Sequence, residues 1–539
     1  MSSHTHQPLK LAHSYHRSEI TERFDVIIIG SGLGGLCTAA ILAKAGKKVL
    51  ILERHGTIGG FTQTFTRKGY EWDVGVHYVG EVNKKFSILR DIFDYVSEGK
   101  LKWAEMGDVY DEVIIAGKSY PFRKGKDNLK ADLIKWFPAE EKGIEQYFNL
   151  VNDVAVASRG YYTDRVFSRW LGNITGYFAR KKFHKLSDRS TLDVLSGLTT
   201  NKELIAVLSG QYGDYGMPPA DSSFAMHAAL VRHYFAGGNY PIGGASAFAK
   251  TIGKVILDHG GKMFIRASVK EVIVKDNKAI GVLMEDGRSI YAERIVSNAG
   301  ALNTYKRLIP RAVFEQHKLS PQLTELDSST AHICLYIGVK ESPEQLNLGT
   351  TNLWIYPHND HDKAIADFLK DINAPLPVVY ISFPSGKDPE WTTNFPGRST
   401  VEIITCMPYK WFEQWKDERW QKRGEEYETF KEELSQRLLA HLYEQRPQLR
   451  GKIDYYELST PLSTEYFTGY EQGEIYGLNH GPRRFRLDFL RAPTPIRHFY
   501  MTGQDIVTVG IGGALFSGVL TASAILRKNL SKQIMKNSK

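Results

Sequence analysis

The chain is poor in cysteine. Its 539 residues include only Cys37, Cys334 and Cys406, an odd number at wide spacings. That excludes a disulfide framework and a cysteine-rich zinc cluster, and it points to a reducing compartment. No apolar signal core is present from Met1 to Arg23 either, a polar stretch expected as a flexible tail (residues 1–23) whose His4, His6, His13 and His16 are solvated rather than metal ligands. Charge-free runs of spanning length are scarce. Ile506 to Leu526 meets the length criterion, but Gly510, Gly512, Gly513, Gly518 and several hydroxyl residues interrupt it, and it reads as a buried turn and helix. Val26 to Ala43 is set aside in the same way. The expected location is therefore cytoplasmic, without a signal peptide or a transmembrane helix. A net charge of +9 without any base-reading module argues against a nucleic-acid partner. What remains is an ordinary globular balance, 42% hydrophobic and 24% charged, on a chain long enough for two or three connected lobes.

The most informative stretch runs from Asp25 to Gly60. Val26 to Ile29 make a short β-branched strand, and Gly30, Gly32 and Gly35 follow it at the G-x-G-x-x-G spacing. Gly30 permits a tight turn, Gly32 lets the backbone approach a pyrophosphate, and Gly35 lets the next helix pack on the sheet. Val49 to Leu52 form a second strand. Glu53 ends it, where a carboxylate can accept hydrogen bonds from a ribose, with Arg54 beside it. This is a dinucleotide-binding unit whose helix N-terminus faces the phosphates. Gly59-Gly60 and a distant glycine-rich segment, Met501 to Ile506 followed by Gly510 to Ala514, favour FAD over NAD, because a chain that returns so late wraps a long cofactor. Gly503 and Asp505 are placed at the ribitol or pyrophosphate, and Gly513 and Ala514 at the flavin ring.

These segments carry a family resemblance. Together with Trp72 to Gly80, Gln211 to Gly216, Met226-His227, His233-Tyr234, Tyr240 to Gly244, Val296 to Gly300, Tyr476-Gly477 and Thr502 to Asp505, the chain resembles the retinol saturase-like branch of the phytoene desaturase and carotenoid isomerase flavoproteins. The resemblance is collinear from about Phe24 to Asn529. It departs at Phe61-Thr62-Gln63, where retinol saturases are expected to carry a Cys-Cys-His type sequence. It implies an α/β fold, a Rossmann-like FAD-binding domain in three segments (24–80, 241–305 and 495–530) with an inserted mixed α+β substrate domain (81–240 and 306–494). In the second segment Gly243-Gly244 is expected to start a helix, and Phe264 to Val274 and Ala279 to Met284 alternate as strands; Val269 would meet the adenine, and Asn298 closes the segment as a strand-to-turn element.

The implied activity is that of an FAD-dependent oxidoreductase acting on a carbon-carbon double bond of an apolar polyene, a retinoid or a carotenoid. Saturation of one double bond is the leading reading; cis-trans isomerisation and phytoene-type desaturation use the same hydride geometry and stay open. His77 and Tyr78 are the first candidates for the proton donor, with Tyr240 and His233 behind them. No second strand-turn-helix glycine unit occurs, so a separate electron donor is expected. Between Arg159 and Lys185, cations interleave with aromatics, which suits a peripheral membrane contact or a solvated basic helix.

Overall fold

Asp25-Val-Ile-Ile-Ile29 is too short for a helix and apolar from its second residue, as a strand buried on both faces requires. In the computed structural model, which describes residues 11–167, 176–319, 323–324 and 326–537, the strand Phe24–Ile29 lies parallel between Val49–Leu52 and Ser289–Ser297. Lys262–Ile265 adds beyond Val49–Leu52, and Phe499–Met501 runs parallel along Ser289–Ser297. Segments from the start, middle and end of the chain thus meet in one sheet. Val269–Lys275 and Lys278–Met284 join it as an antiparallel wing.

Three local expectations change. The strand expected from Phe264 to Val274 breaks at Arg266, whose φ is 55° and whose N–H donates to His55 O, so Lys262–Ile265 and Val269–Lys275 are separate strands. The helix expected to begin at Gly243-Gly244 begins at Ser246, because both glycines take positive φ in the preceding turn. The segment expected as a tail is bound from residue 13 onward. His13–Ser14 pairs with Phe264–Ile265, and buried Tyr15 donates to Asp286 Oδ1 at 3.1 Å beneath the Arg288 guanidinium.

A second sheet of seven strands stands on the other side of the molecule, in the order Ile453–Ser459, His332–Val339, Ser399–Cys406, Val379–Ser382, Asn352–Tyr356, Val109–Ile115, Lys118–Arg123. All its pairings are antiparallel except Asn352–Tyr356 with Val109–Ile115. The helices Glu141–Asp164 and Phe224–His233 pack beside it. Among the described residues no single helix is long and apolar enough to cross a membrane; the pair Gly510–Leu526 and Leu530–Lys536 passes by composition but is bent by 113°, and most of the first helix is buried in the protein.

The helices Leu33–Lys44 and Gly510–Leu526 meet where Gly518, lacking a side chain, leaves room for Cys37 and the Gly34 backbone. A Cβ on Gly518 would stand 2.6 Å from Cys37 Cβ and 2.9 Å from Gly34 O. Gly518→Val therefore forces the two helices apart. We expect a loss of about 1–3 kcal/mol, the usual range for overpacking, seen as a lower urea midpoint with unchanged slope; a midpoint equal to that of the wild type would refute the contact.

Candidate functional site

One cavity of about 1950 Å³ runs from the turn after Phe24–Ile29 to the inner face of the seven-stranded sheet. It is lined by Gly30, Gly32, Glu53, Arg54, Gly59, Gly60, His77, Tyr78, Val269, Asn298, Gly503, Asp505, Gly513 and Ala514. Of the site residues singled out from sequence, Gly35 and Tyr240 do not line it; a Cβ on Gly35 would strike Gly30 O, so its place is in helix-on-sheet packing.

The cradle is built from three distant stretches. Gly30 turns the chain with φ 94°. A Cβ on Gly32 would stand 2.9 Å from Asn298 Nδ2, and one on Gly503 2.9 Å from Asn298 Oδ1. The Asn298 amide therefore fills the space beneath the turn. Glu53 leaves the strand end with its carboxylate already oriented: Ser31 N–H and Ser31 Oγ donate to Oε2 at 2.8 and 2.6 Å, and His55 N–H donates to Oε1 at 2.8 Å. Ser31 in turn accepts the Gly59 N–H at 3.0 Å, which ties the Gly59-Gly60 turn to the cradle. Arg54 points away and donates to Tyr466 O. Asp505 accepts N–H groups from Ala301 at 2.6 Å and Leu478 at 3.0 Å, so its carboxylate fastens three chain segments as well as lining the cavity. A glycine turn that admits no Cβ, a carboxylate at the strand end and the opening turns of Leu33–Lys44 and Gly510–Leu526 fit an FAD.

The far part of the cavity is apolar, with Met226, Leu230, Tyr234, Trp354, Tyr380 and Ile404 in its wall. His77 and Tyr78 precede the two-residue strand Val79–Gly80 rather than riding on it, because Asp73 ends the previous strand by accepting Ala245 N–H at 2.8 Å and the Tyr240 hydroxyl. His77 Nδ1 lies 3.0 Å from Glu402 Oε2. Burial, then the Lys387 charge, pushes the His77 pKa down to about 3, so its ring is neutral at neutral pH. Tyr78 donates at 2.9 Å to Asp111 Oδ2 or Asp214 Oδ2, each equally close, and burial raises its pKa far above the ordinary phenol value. His233 accepts Gly80 N–H at 2.8 Å and Tyr240 is bound to Asp73, so both hold backbone or side chains in place. Tyr215 packs on His227.

Four charged residues that the sequence reading missed complete this end: Asp111, Asp214, Lys387 and Glu402. Asp214 lay inside the noted Gln211 to Gly216 segment; the other three sit on strands or a short turn without any local motif. Lys387 Nζ donates to His77 O at 3.0 Å, to Ser382 Oγ at 2.7 Å and to Asn352 Oδ1, and burial draws its pKa down to about 7. Glu402 is fully buried, accepts Asp73 N–H at 3.0 Å and is raised by burial from an ordinary 4.5 to about 8. Burial and the Glu402 charge likewise raise Asp73 to about 7.

A carboxyl whose folded pKa is raised stabilises the fold below its unfolded pKa and loses that contribution as pH climbs to the folded value. For Glu402 the window is 4.5 to about 8, with a slope of about 1.4 kcal/mol per pH unit for one proton. His77 acts on the acid side, since its depressed pKa removes stability as pH falls from 6.5 towards about 3. Glu402→Gln should thus flatten the decline of unfolding free energy between these two Glu402 values by up to one proton's slope. Identical slopes in variant and wild type, read by urea titrations at several pH values, would show that Glu402 is ionised throughout.

The description that matches residues 28–96 is an NAD(P)-binding Rossmann-like domain. An oxidoreductase from Methanosarcina mazei shares the fold at a TM-score of 0.62 and 16% identity, covering 93% of this chain and 100% of that one. Putrescine oxidase does so at 0.61 and 19%, covering 94% and 100%. The chain is 25% identical to the chloroplastic prolycopene isomerase of Arabidopsis thaliana over 93% of its own length and 82% of that protein. It is 34% identical to all-trans-retinol 13,14-reductase of Danio rerio, covering 96% of this chain and 89% of the relative. The same enzyme of Homo sapiens is 36% identical, with 96% and 88% covered. With identity at that level over nearly the whole of both proteins, this chain belongs to the all-trans-retinol 13,14-reductase family of oxidoreductases.

Proposed function

We propose that the protein saturates one double bond of a retinoid or a related apolar polyene, using FAD and electrons from a separate donor. The observation that carries this reading is the continuity of the cavity from the glycine cradle to the aromatic wall. Its volume of about 1950 Å³ is twice the upper end of the roughly 300–1,000 Å³ that holds one small ligand, so a dinucleotide and a second molecule can share it. FAD, when bound and reduced, supplies the hydride. Gly30, Gly32, Glu53 and Asn298 hold the adenosine and pyrophosphate half, with Val269 towards the adenine; Gly503, Asp505, Gly513 and Ala514 face the flavin half. The apolar wall aligns the polyene and keeps water from the reacting carbons. Tyr78 gives the proton to the carbon beside the one that takes the hydride, since His77, neutral at neutral pH, has no imidazolium proton to give. Phe61, Thr62 and Gln63 line the same cavity and set the shape of its wall.

Access to a water-insoluble substrate is proposed to come from peripheral contact with an anionic membrane. Arg169, Trp170 and Leu171 of the segment 159–185 lie outside the described residues. Of the rest, Arg165 and Arg180 are engaged within the protein, donating to Leu487 O and to Asp164. Lys181, Lys182 and Lys185 are exposed, beside Phe178 with 82% of its surface open. Phe86 and Phe167, 68% and 43% exposed, line the cavity themselves.

Anaerobically reduced protein mixed with retinol or a carotenoid should yield a product heavier by two hydrogens; unchanged mass with altered retention would mean isomerisation, and loss of two hydrogens desaturation. Gly32→Val should abolish bound flavin, because its side chain occupies the backbone's approach to the pyrophosphate and collides with Asn298; a fully loaded yellow variant would overturn the cradle. Replacing Lys181, Lys182 and Lys185 with glutamates should reduce flotation with anionic vesicles while leaving flavin content intact, each cation being worth about 1 kcal/mol near such a surface. Equal flotation of variant and wild type would dismiss the membrane contact.

A further inference from the structure

The Tyr78 hydroxyl has one hydrogen and two carboxylate neighbours. Asp111 Oδ2 and Asp214 Oδ2 each lie 2.9 Å from its oxygen. The phenol can donate to one of them; it must accept from the other, and a carboxyl oxygen can donate only when protonated. Two ionised carboxylates on one phenol in a buried site would leave a lone pair facing an anion.

The surroundings say which carboxyl carries the proton. Asp111 is fully buried and takes amide donors on both oxygens, Asn352 Nδ2 at 2.9 Å and Gln211 Nε2 at 2.6 Å. The Asn352 amide is turned that way because its Oδ1 accepts from Lys387. Asp111 is therefore the carboxylate, and Tyr78 donates to it. The neighbours that act on Asp214 are instead the Asp111 charge and the phenols of Tyr78 and Tyr234, with Tyr380 and Tyr476 also within its field. Tyr234 stacks on Tyr78 with ring centroids 4.3 Å apart. Burial, then the Asp111 charge, drives Asp214 towards its neutral form, and the hydrogen bonds of Tyr78 and Tyr234, which favour the ionised form, do not reverse that direction. Asp214 and Tyr78 line the cavity and Asp111 does not.

We propose that Asp214 is a neutral carboxylic acid and the proton source for the reaction, passing its proton to the substrate through the Tyr78 hydroxyl. The inference rests on the saturase reading for its use of the proton, though not for the proton's location. The Asp214 O–H bond breaks as the phenol oxygen takes that proton. The Tyr78 O–H turns from Asp111 to the substrate and breaks as a C–H bond forms, its electron pair coming from the double bond, on the carbon next to the one that receives the hydride. The two electrons come from the reduced flavin and, before it, from the external donor. Tyr78 therefore never has to persist as a phenolate, which burial forbids. Asp214 is left ionised beside Asp111, an arrangement that favours prompt reprotonation from water once product leaves. Asp214 is a positioning and proton-supplying group; Tyr78 is the residue that meets the substrate.

The test uses the flavin-loaded protein and two readouts. Infrared spectra at neutral pH should contain a protonated-carboxyl stretch that disappears in Asp214→Asn and persists in Asp111→Asn, where burial still holds Asp214 neutral. Asp73 and Glu402 add bands of their own, so the diagnostic signal is the component lost on substitution. Single-turnover saturation after dithionite reduction should slow by about 100-fold or more in Asp214→Asn, the usual contribution of a proton donor, with Asp214→Glu restoring part of it and flavin content unchanged in both. A spectrum unchanged by Asp214→Asn, or a wild-type rate in that variant, overturns the proposal. If the wild type saturates no polyene, the saturase reading and the proton's use fall together, while the infrared component separately upholds or overturns the neutral acid.

Discussion

Everything at the cofactor end depends on glycine backbone packed against the Asn298 amide, where no further side chain can stand. Gly32, Gly34 and Gly503 each face the Asn298 amide at a distance that a Cβ would close to 2.9 Å. Those contacts join residues separated by hundreds of positions, and the hydrogen bonds Asn298 N–H to Ile29 O and Thr502 N–H to Ser297 O fasten the same three strands just below. Because interiors are close-packed and bistable rather than soft, a methyl group added here displaces a whole segment. The width of the cradle is thus set by the main chain and the Asn298 amide, and the other side chains around it, Glu53 and Ser31 among them, finish that shape.

The opposite end follows a different rule, the scarcity of water. Asp214 lies in the largely apolar wall, and Asp73, Asp111, Lys387 and Glu402 are buried behind it. Burial pushes the acids up and the lysine down. Such a group of ionisable side chains is unfavourable as core and valuable as chemistry, since each proton's position is decided by its neighbours rather than by bulk pH. The hydrogen-bonded run from Lys387 through Asn352 to Asp111 shows how: one ammonium orients one amide, the amide stabilises one carboxylate, and that charge governs the next acid along.

The two ends were unequally legible in the sequence. The first glycine turn is local, so spacing alone pointed to Gly30, Gly32, Gly35 and Glu53, and a late glycine-rich segment pointed to Gly503, Gly513 and Ala514. Ser31 hid because the variable position of a glycine motif carries no signal, although its hydroxyl orients Glu53. The buried polar end brings residues 78, 214 and 387 against Asp111, Asn352 and Glu402 of the seven-stranded sheet. No window of the chain contains two neighbouring members of that group. Strand alternation does predict that Glu402 and Asp111 face a core, and a buried acid without a nearby base in sequence is the one hint that long-range pairing had to supply a partner. The tail was misjudged for a similar reason: Tyr15 looks solvated until Arg288 and Asp286, far along the chain, are brought beneath it.

The knot that Asp505 ties has a consequence for how the protein is made. Its carboxylate holds the amides of Ala301 and Leu478, and Phe499–Met501 completes the parallel sheet. A nascent chain emerges at about 5–20 residues per second, so the first glycine turn waits on the order of tens of seconds before the strand that closes it leaves the ribosome. Until then the Ile295 to Ser297 edge of the sheet lacks its partner strand, and an open strand edge is a template for pairing with other chains. The cradle is therefore complete only late in synthesis, and the open edge is an aggregation hazard for as long as it lasts.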